Sequence, residues 1–93
     1  MLPLDSIISK NKRVPWRIIE DEAVLVKIDS GEVVHLNEVA AEIWRIIDGQ
    51  RKISGIIAYI YSSFDVDREQ AEKDTLDFLE SLLDKNLVAV KGK

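Results

Sequence analysis

The stretch HLNEVAAEIWRIIDG, residues 35–49, decides the fold, because a strand becomes a helix within it. Asn37 has a side-chain oxygen that can accept hydrogen bonds from the free N–H groups of a first helical turn. Glu38 adds a favourable negative charge at the same place. Apolar residues then recur at helical spacing until Gly49, a residue type that commonly ends helices at the C′ position. The stretch carries no catalytic pattern, so we interpret it as a structural junction.

Three strands are predicted before this junction. Residues 14–20 and 23–28 are separated by a polar turn, and residues 32–36 form the third strand. In the second strand Val24 and Val26 fall on one face and Leu25 on the other, which is the period of two that β-structure requires. The loop before the third strand ends at Gly31, which suits the left-handed position of a short hairpin loop.

Two further helices are predicted after Gly49. The first covers residues 53–63, and the second covers residues 67–85, with Asp67 as the N-cap and Asn86 in the left-handed stop position. Residues 87–90 form an apolar tail that can pack back or pair. Three strands followed by three helices predict an α+β domain, with a small antiparallel sheet laid against helices in a winged-helix-like arrangement. We assign residues 1–13 to an N-terminal arm and residues 14–90 to the domain.

Composition narrows the classes of function. The chain has 93 residues, a formal charge of -4 and no cysteine. This length fits one small domain, and the lack of cysteine excludes disulfides and thiolate chemistry and is compatible with a cytoplasmic protein. No stretch resembles a signal peptide, and the longest uncharged run, residues 53–64, is too short to span a membrane. We therefore expect neither a membrane partner nor export.

No constellation of residues predicts catalysis or a cofactor. The single histidine, His35, stands in a strand with no acidic partner nearby in the sequence. The serines lack a nucleophile-elbow pattern, and there is no glycine-rich phosphate loop. The acidic run at residues 67–74 is the solvated face of a helix. We therefore expect a protein that is not an enzyme and holds neither a metal nor another cofactor.

A winged helix raises DNA binding as a rival, and the charge of the third helix argues against it. Residues 67–86 hold seven acidic and three basic side chains, a balance of 3 − 7 = −4. Placing this helix between phosphates would be repulsive, because nucleic-acid affinity comes largely from Lys and Arg. We therefore expect no nucleic-acid partner.

The ordered set of these segments resembles the PqqD family. The resemblance is carried by AVLV and EVVHLN in the strands, by the LNEVAAEIW junction, by the pair Asp48-Gly49 and by the ending FLESLLDKNL, and it covers residues 13–90. Two positions depart from the family pattern. Lys52 precedes the second helix where the family usually has Thr or Ser, and Asn86 follows the third where it usually has Gly. Both departures concern helix ends.

The resemblance implies a recognition element for ribosomally made, post-translationally modified peptides. Such a domain binds a precursor (leader) peptide and delivers it, as a chaperone, to a radical S-adenosylmethionine enzyme, as in pyrroloquinoline quinone biosynthesis. The peptide adds as a strand beside the third strand, in a groove closed by the third helix. The domain itself holds no cofactor. A protein-interaction module of the same fold with another partner is the alternative.

The residues themselves are compatible with strand addition. The third strand lies at the edge of the predicted sheet and contains no Pro or Lys to block pairing. A covering arm, or a homodimer through this edge, is the alternative. On a helical wheel Phe78 and Leu82 face the core and the flanking leucines line the groove, unless the bundle buries them all. A basic peptide residue would suit Glu72 or Asp74. The predicted peptide-binding residues are Glu32, Val33, Val34, His35, Leu36, Glu72, Thr75, Leu76, Leu79 and Leu83.

Overall fold

The computed structural model describes residues 2–91 and contains two small sheets and three helices. In chain order the elements are β1 (Ile7–Lys10), β2 (Trp16–Ile19), β3 (Glu22–Val26), β4 (Val33–Leu36), α1 (Glu38–Ile46), α2 (Ile53–Ser63), α3 (Arg68–Asp84) and β5 (Val88–Lys91). The strands β2, β3 and β4 form an antiparallel sheet in that order. The predicted α+β class, with three strands followed by three helices, is confirmed.

The strand-to-helix junction at residues 35–49 has the predicted beginning but a different end. The Asn37 side chain accepts a hydrogen bond from the Ala40 N–H at 2.9 Å, and α1 follows. The helix is capped at Ile47, so Gly49 lies beyond the C′ position that we predicted for it. Gly49 instead adopts φ of 78° in the loop to α2, where its carbonyl accepts from the Lys91 ammonium group.

The ends of α3 agree with the prediction. Asp67 accepts a hydrogen bond from the Gln70 N–H at 2.8 Å, as an N-cap does. Asn86 adopts φ of 61°, and the following Leu87 N–H donates to the Leu82 carbonyl at 3.0 Å. This 6→1 hydrogen bond is the one that closes a Schellman motif, so Asn here performs the role that Gly usually has.

Residues 1–13 and 87–90 are more closely joined than we predicted. The strand β1, within the predicted arm, pairs with β5 along its whole length, from Ile7 opposite Lys91 to Lys10 opposite Val88. The Ile8 side chain is only 1% exposed and belongs to the core. A single strand cannot form the hydrogen bonds of its own backbone N–H and C=O groups, so the apolar tail needs a partner strand. The predicted N-terminal arm supplies that partner as β1.

The core lies between the inner face of the three-stranded sheet and the three helices. Leu25 and Leu36 point inward from the sheet, and Trp44 is fully buried on α1, edge-on to Trp16 with ring centres 6.0 Å apart. The helices contribute mostly isoleucine and leucine. The opposite face of the sheet, with Val33 half-exposed, is turned to solvent. This arrangement holds β4 at an edge and leaves one side of it without a strand among the described residues.

Candidate functional site

The free edge of β4 presents backbone groups at alternate residues. Lys27 lies opposite Glu32 in the hairpin register, and its N–H donates to the Glu32 carbonyl at 2.8 Å. In an antiparallel pair, hydrogen-bonded and non-hydrogen-bonded positions alternate. Val34 and Leu36 therefore bond to β3, whereas the N–H and C=O groups of Val33 and His35 point away from it.

The pairing of β3 with β2 predicts the same alternation of backbone hydrogen-bonding groups along β3. The Val26 N–H donates to the Pro15 carbonyl at 3.0 Å, so Val26 and Val24 direct their backbone groups to β2. Leu25 and Ala23 must then direct theirs to β4, opposite Val34 and Leu36. An incoming strand would therefore find its hydrogen-bonding partners at Val33 and His35.

The helix α3 runs beside β4 in the opposite direction. At the start of β4, the Lys85 ammonium group lies 2.9 Å from a Glu32 carboxylate oxygen. Beyond its end, Asp74 and Phe78 share a cavity of about 480 Å³ with Asn37 and the first turns of α1. From Glu32 to Asn37 a strand spans about 17 Å, and from Asp74 to Lys85 a helix also spans about 17 Å. The two elements therefore frame one groove, which we call the β4 groove.

Phe78 forms the apolar part of the helical wall of this groove. Its side chain is half-buried and packs against the core at its base. On α3, Asp74, Phe78 and Lys85 follow one another at spacings of four and seven residues, which places them on one face. We had assigned Phe78 to the core, because its apolar character and its position in the wheel agreed with burial.

The leucines that we predicted for the groove are largely buried in this structure. Leu79 is fully buried and Leu76 is 6% exposed, so both side chains pack in the core. Leu83 is half-buried against the same core. The helix α2 packs against α3, and the alternative that the bundle buries these leucines agrees with the burial of Leu76 and Leu79.

Two polar residues of the predicted site have different surroundings. Thr75 is fully buried, and within residues 2–91 its hydroxyl has no hydrogen-bond partner. Glu72 lines a separate shallow depression on α3, together with Lys73 and Leu76. Asp74, the other acidic residue that we considered for a basic peptide group, does line the cavity at the groove's end.

The predicted site residues at positions 32–36 lie along the edge of the β4 groove or beneath it. Val33 is 51% exposed and His35 is exposed on the outer face of the sheet, whereas Val34 is half-buried and Leu36 is buried. Glu32 is exposed and paired with Lys85. Sequence reasoning missed Phe78 as a wall residue, and it missed Lys85 and the contribution of α1. The helical spacing of Asp74, Phe78 and Lys85 was the available signal.

The β4 groove carries polar groups that can bind an extended chain. Its polar groups are backbone amides, the carboxylates of Asp74 and Asp77 at one end and the Lys85 ammonium group at the other. Within residues 2–91, no three His, Asp or Glu side chains are grouped so that they could hold a metal ion. In the same residues, no helix has both the length and the apolar character to cross a membrane.

Two solved structures that are similar to this chain both contain a leader peptide. A search of curated proteins finds no match. The solved structure of TbiB1 in complex with the TbiA(beta) leader peptide is similar over 91% of this chain and 96% of that chain, with 29% identity and a TM-score of 0.77. Lasso peptide synthetase B1, complexed with its leader peptide, shares the fold at 22% identity and a TM-score of 0.76, over 88% of this chain and 96% of that chain.

The family comparison covers most of the chain. Residues 22–88 match the family described as Coenzyme PQQ synthesis protein D (PqqD), and this range contains the sheet strands β3 and β4, all three helices and the whole β4 groove. The match confirms the resemblance that the strand, junction and helix segments carried, and the protein belongs to the PqqD family.

Proposed function

We propose that this protein binds the leader peptide of a ribosomally made precursor and presents it to a separate modifying enzyme. The observation that carries the proposal is the free edge of β4, where the backbone groups of Val33 and His35 point into a groove walled by α3. An extended peptide can satisfy these groups by adding a strand, and the pairing supplies affinity without requiring a particular sequence. The TbiB1 structure, which contains a leader peptide, supports this reading.

The groove also has the features that select among extended peptides. Phe78 offers an apolar contact, Asp74 and Asp77 offer carboxylates at one end, and Lys85 offers a cation at the other. Side chains of an added strand point alternately to the two faces of the sheet. Every second peptide side chain would thus lie toward the Phe78 wall, and the intervening ones would extend toward the solvent face beside Val33.

The modifying enzyme in this proposal is a radical S-adenosylmethionine enzyme, and the present chain acts as its non-catalytic, cofactor-free adaptor in the cytoplasm. Peptide modification needs chemistry that backbone amides and exposed carboxylates do not provide. The division into an arm of residues 1–13 and a domain of residues 14–90 belongs to the same proposal. The strand β1 then serves to complete the domain by pairing with β5.

Amide hydrogen exchange tests the proposal residue by residue. The probes are synthetic leader peptides, beginning with the TbiA(beta) leader peptide that is bound in the TbiB1 structure. In the free protein the amides of Val33 and His35 should exchange quickly, and the amide of Val34, bonded to β3, should be protected. Adding the peptide should protect Val33 and His35 strongly, and NMR shifts should extend along residues 74–85.

The competing readings give other outcomes. A dimer through the same edge would protect Val33 and His35 without peptide and would sediment as a dimer. An interaction module with another partner would show no change in β4 with any leader peptide. A nucleic-acid binder would respond to duplex DNA with steep salt dependence. The enzyme part of the proposal fails if the immobilised protein–peptide complex retains no radical S-adenosylmethionine enzyme from the source cells.

A further inference from the structure

A second pocket adjoins the β4 groove at its Lys85 end. It has a volume of about 530 Å³, within the usual range of ligand sites. The loop after β1, the start of the β3–β4 loop and the turn from α3 into β5 surround it. We call it the basic pocket, and it is lined by Asn11, Arg13, Val14, Lys27, Ile28, Asp29, Lys85, Asn86, Leu87, Val88 and Ala89.

The charge of the basic pocket is opposite to that of the chain. Its lining contains three cations, Arg13, Lys27 and Lys85, and one carboxylate, Asp29, and the Glu32 carboxylate pairs with Lys85 from outside the lining, which gives 3 − 2 = +1. The whole chain has a formal charge of -4. Such a local concentration of one sign attracts a ligand group of the other sign. The pocket therefore selects for a negatively charged group.

Two of the three cations already have partners, and one does not. Lys27 lies 2.9 Å from Asp29, and Lys85 lies 2.9 Å from Glu32. The Arg13 guanidinium has no ion-pair or hydrogen-bond partner within residues 2–91. The backbone of Arg13 is held in the loop, because its N–H donates to the Asn11 side chain at 3.0 Å. The Asn11 side chain in turn donates to the Asn86 carbonyl at 2.9 Å.

Lys85 connects this pocket to the β4 groove, since it lines the pocket and also pairs with Glu32 at the start of β4. A strand that pairs antiparallel with β4, the more stable arrangement, runs from the Leu36 end toward the Glu32 end. Its C-terminal side thus leaves the groove beside Lys85. At about 3.3 Å per residue, the next two or three residues reach the basic pocket.

We propose that the basic pocket is the subsite for an acidic side chain of the leader peptide, located within about three residues on the C-terminal side of the strand that pairs with β4. This inference rests on the proposed function. The acidic residue accepts hydrogen bonds from the Arg13 guanidinium, while its methylene groups contact Ile28, a lining residue that is 62% exposed. The opposite end of the groove holds Asp74 and Asp77, so the peptide's charges are ordered along its length.

The experiment is a selection of displayed random 12-residue peptides on the full-length protein, followed by NMR mapping of the peptides that bind. Among peptides that shift Val33 and His35, we expect Asp or Glu to be enriched on the C-terminal side of the paired segment. For one such peptide, Arg13→Gln should weaken binding up to about fivefold, the upper end of the effect of losing one exposed ion pair. Replacing the peptide's acidic residue by its amide should give the same loss, with no further loss in Arg13→Gln.

The matched control is Arg68→Gln, which removes the same charge from the start of α3, where Arg68 lies over the Tyr61 ring. It should change the affinity less than twofold. Equal affinity of the wild type and Arg13→Gln for peptides mapped to β4 would overturn the subsite and leave the proposed function intact. If no selected peptide shifts β4, the proposed function and the subsite fail together. Thermal unfolding of each variant separates these outcomes from a folding defect.

Discussion

The Lys85 ammonium group lies 2.9 Å from the Glu32 carboxylate and joins the end of α3 to the start of β4. The two residues are 53 positions apart in the chain. The ion pair fixes where the helix passes the edge strand, and hence the width of the β4 groove at one end. Both side chains are partly exposed, 34% for Lys85 and 45% for Glu32, so solvent weakens their attraction.

This pair is expected to position the helix more than it stabilises the fold. Lys85→Gln should lower the free energy of unfolding by only about 0.2–1 kcal/mol, because exposed ion pairs contribute little. Urea denaturation of Lys85→Gln, Glu32→Gln and the double variant measures the coupling. A coupling energy above about 2 kcal/mol would show that the pair stabilises the fold to an extent that its exposure does not predict.

Thr75 should be a site where the protein can be stabilised. Its hydroxyl is buried without a partner within the described residues, and an unsatisfied buried polar group costs about 1–3 kcal/mol. Thr75→Val keeps the branched shape and removes the hydroxyl, so the free energy of unfolding should rise by about 1 kcal/mol. Urea denaturation measures the change. Thr75→Ser, which keeps the hydroxyl and removes a methyl group, should be destabilising; a less stable Val variant would refute this account.

Stability should fall in acid in part through Glu42. The Arg45 guanidinium and the Tyr59 hydroxyl donate hydrogen bonds to its carboxylate, and they hold the pKa of Glu42 below the usual value for a glutamate. A carboxyl whose pKa is lowered by folding stabilises the protein above its unfolded pKa, and this contribution is lost as the pH falls through the folded pKa. The free energy of unfolding should therefore drop below about pH 4.5 less steeply in Glu42→Gln than in the wild type.

Tyr59→Phe is the matched variant for Glu42, because it removes only the second donor and leaves Arg45 in place. Its unfolding free energy should show a pH dependence between those of the wild type and Glu42→Gln. Identical pH profiles in all three proteins would show that these hydrogen bonds do not persist in solution. Chemical denaturation between pH 3 and pH 7 provides the comparison.

The order of elements was predictable from the sequence because each boundary has a local cause. Asn37 and Asp67 cap helices with their own side chains, and Asn86 tolerates a left-handed backbone. The alternation in residues 23–28 needs no tertiary information either. The sheet of β1 and β5 was harder to predict, because a pairing between the two ends of a chain leaves no signal in either segment alone.

The strand side of the groove was predictable, and the helical side was not. An edge strand follows from strand order, and the outward backbone groups follow from register. The apolar residues of α3 cover a wide arc, so the sequence does not specify which flank α2 covers. In the folded protein Leu76 and Leu79 are buried and Phe78 is partly exposed. Which residues of α3 are buried depends on how the helices pack, and this packing is a property of the whole fold.

Phe78 and its neighbour Leu79 should therefore separate binding from stability. Phe78→Ala should weaken leader-peptide binding, because it removes the apolar wall of the β4 groove, and should destabilise the fold only in proportion to its partial burial. Leu79→Ala should lower the free energy of unfolding by about 2–5 kcal/mol, because Leu79 is fully buried. Isothermal titration and urea denaturation measure the two effects. The reverse pattern would restore the leucine flank as the peptide-binding wall.

Proline substitution at adjacent positions of β4 gives the sharpest test of the edge. His35 directs its N–H away from β3, so His35→Pro removes no hydrogen bond within the sheet, and proline is tolerated at such edge positions. Val34 directs its N–H to β3, so Val34→Pro removes a sheet hydrogen bond and should lower the free energy of unfolding by more than the His35 variant does.

The His35→Pro variant should remain folded and lose peptide binding, because the N–H donor for the added strand is gone. His35→Ala keeps the donor and should bind nearly as the wild type does. If His35→Pro folds and binds the leader peptide with wild-type affinity, the peptide does not pair with β4, since the alternation of backbone groups along this strand requires that hydrogen bond.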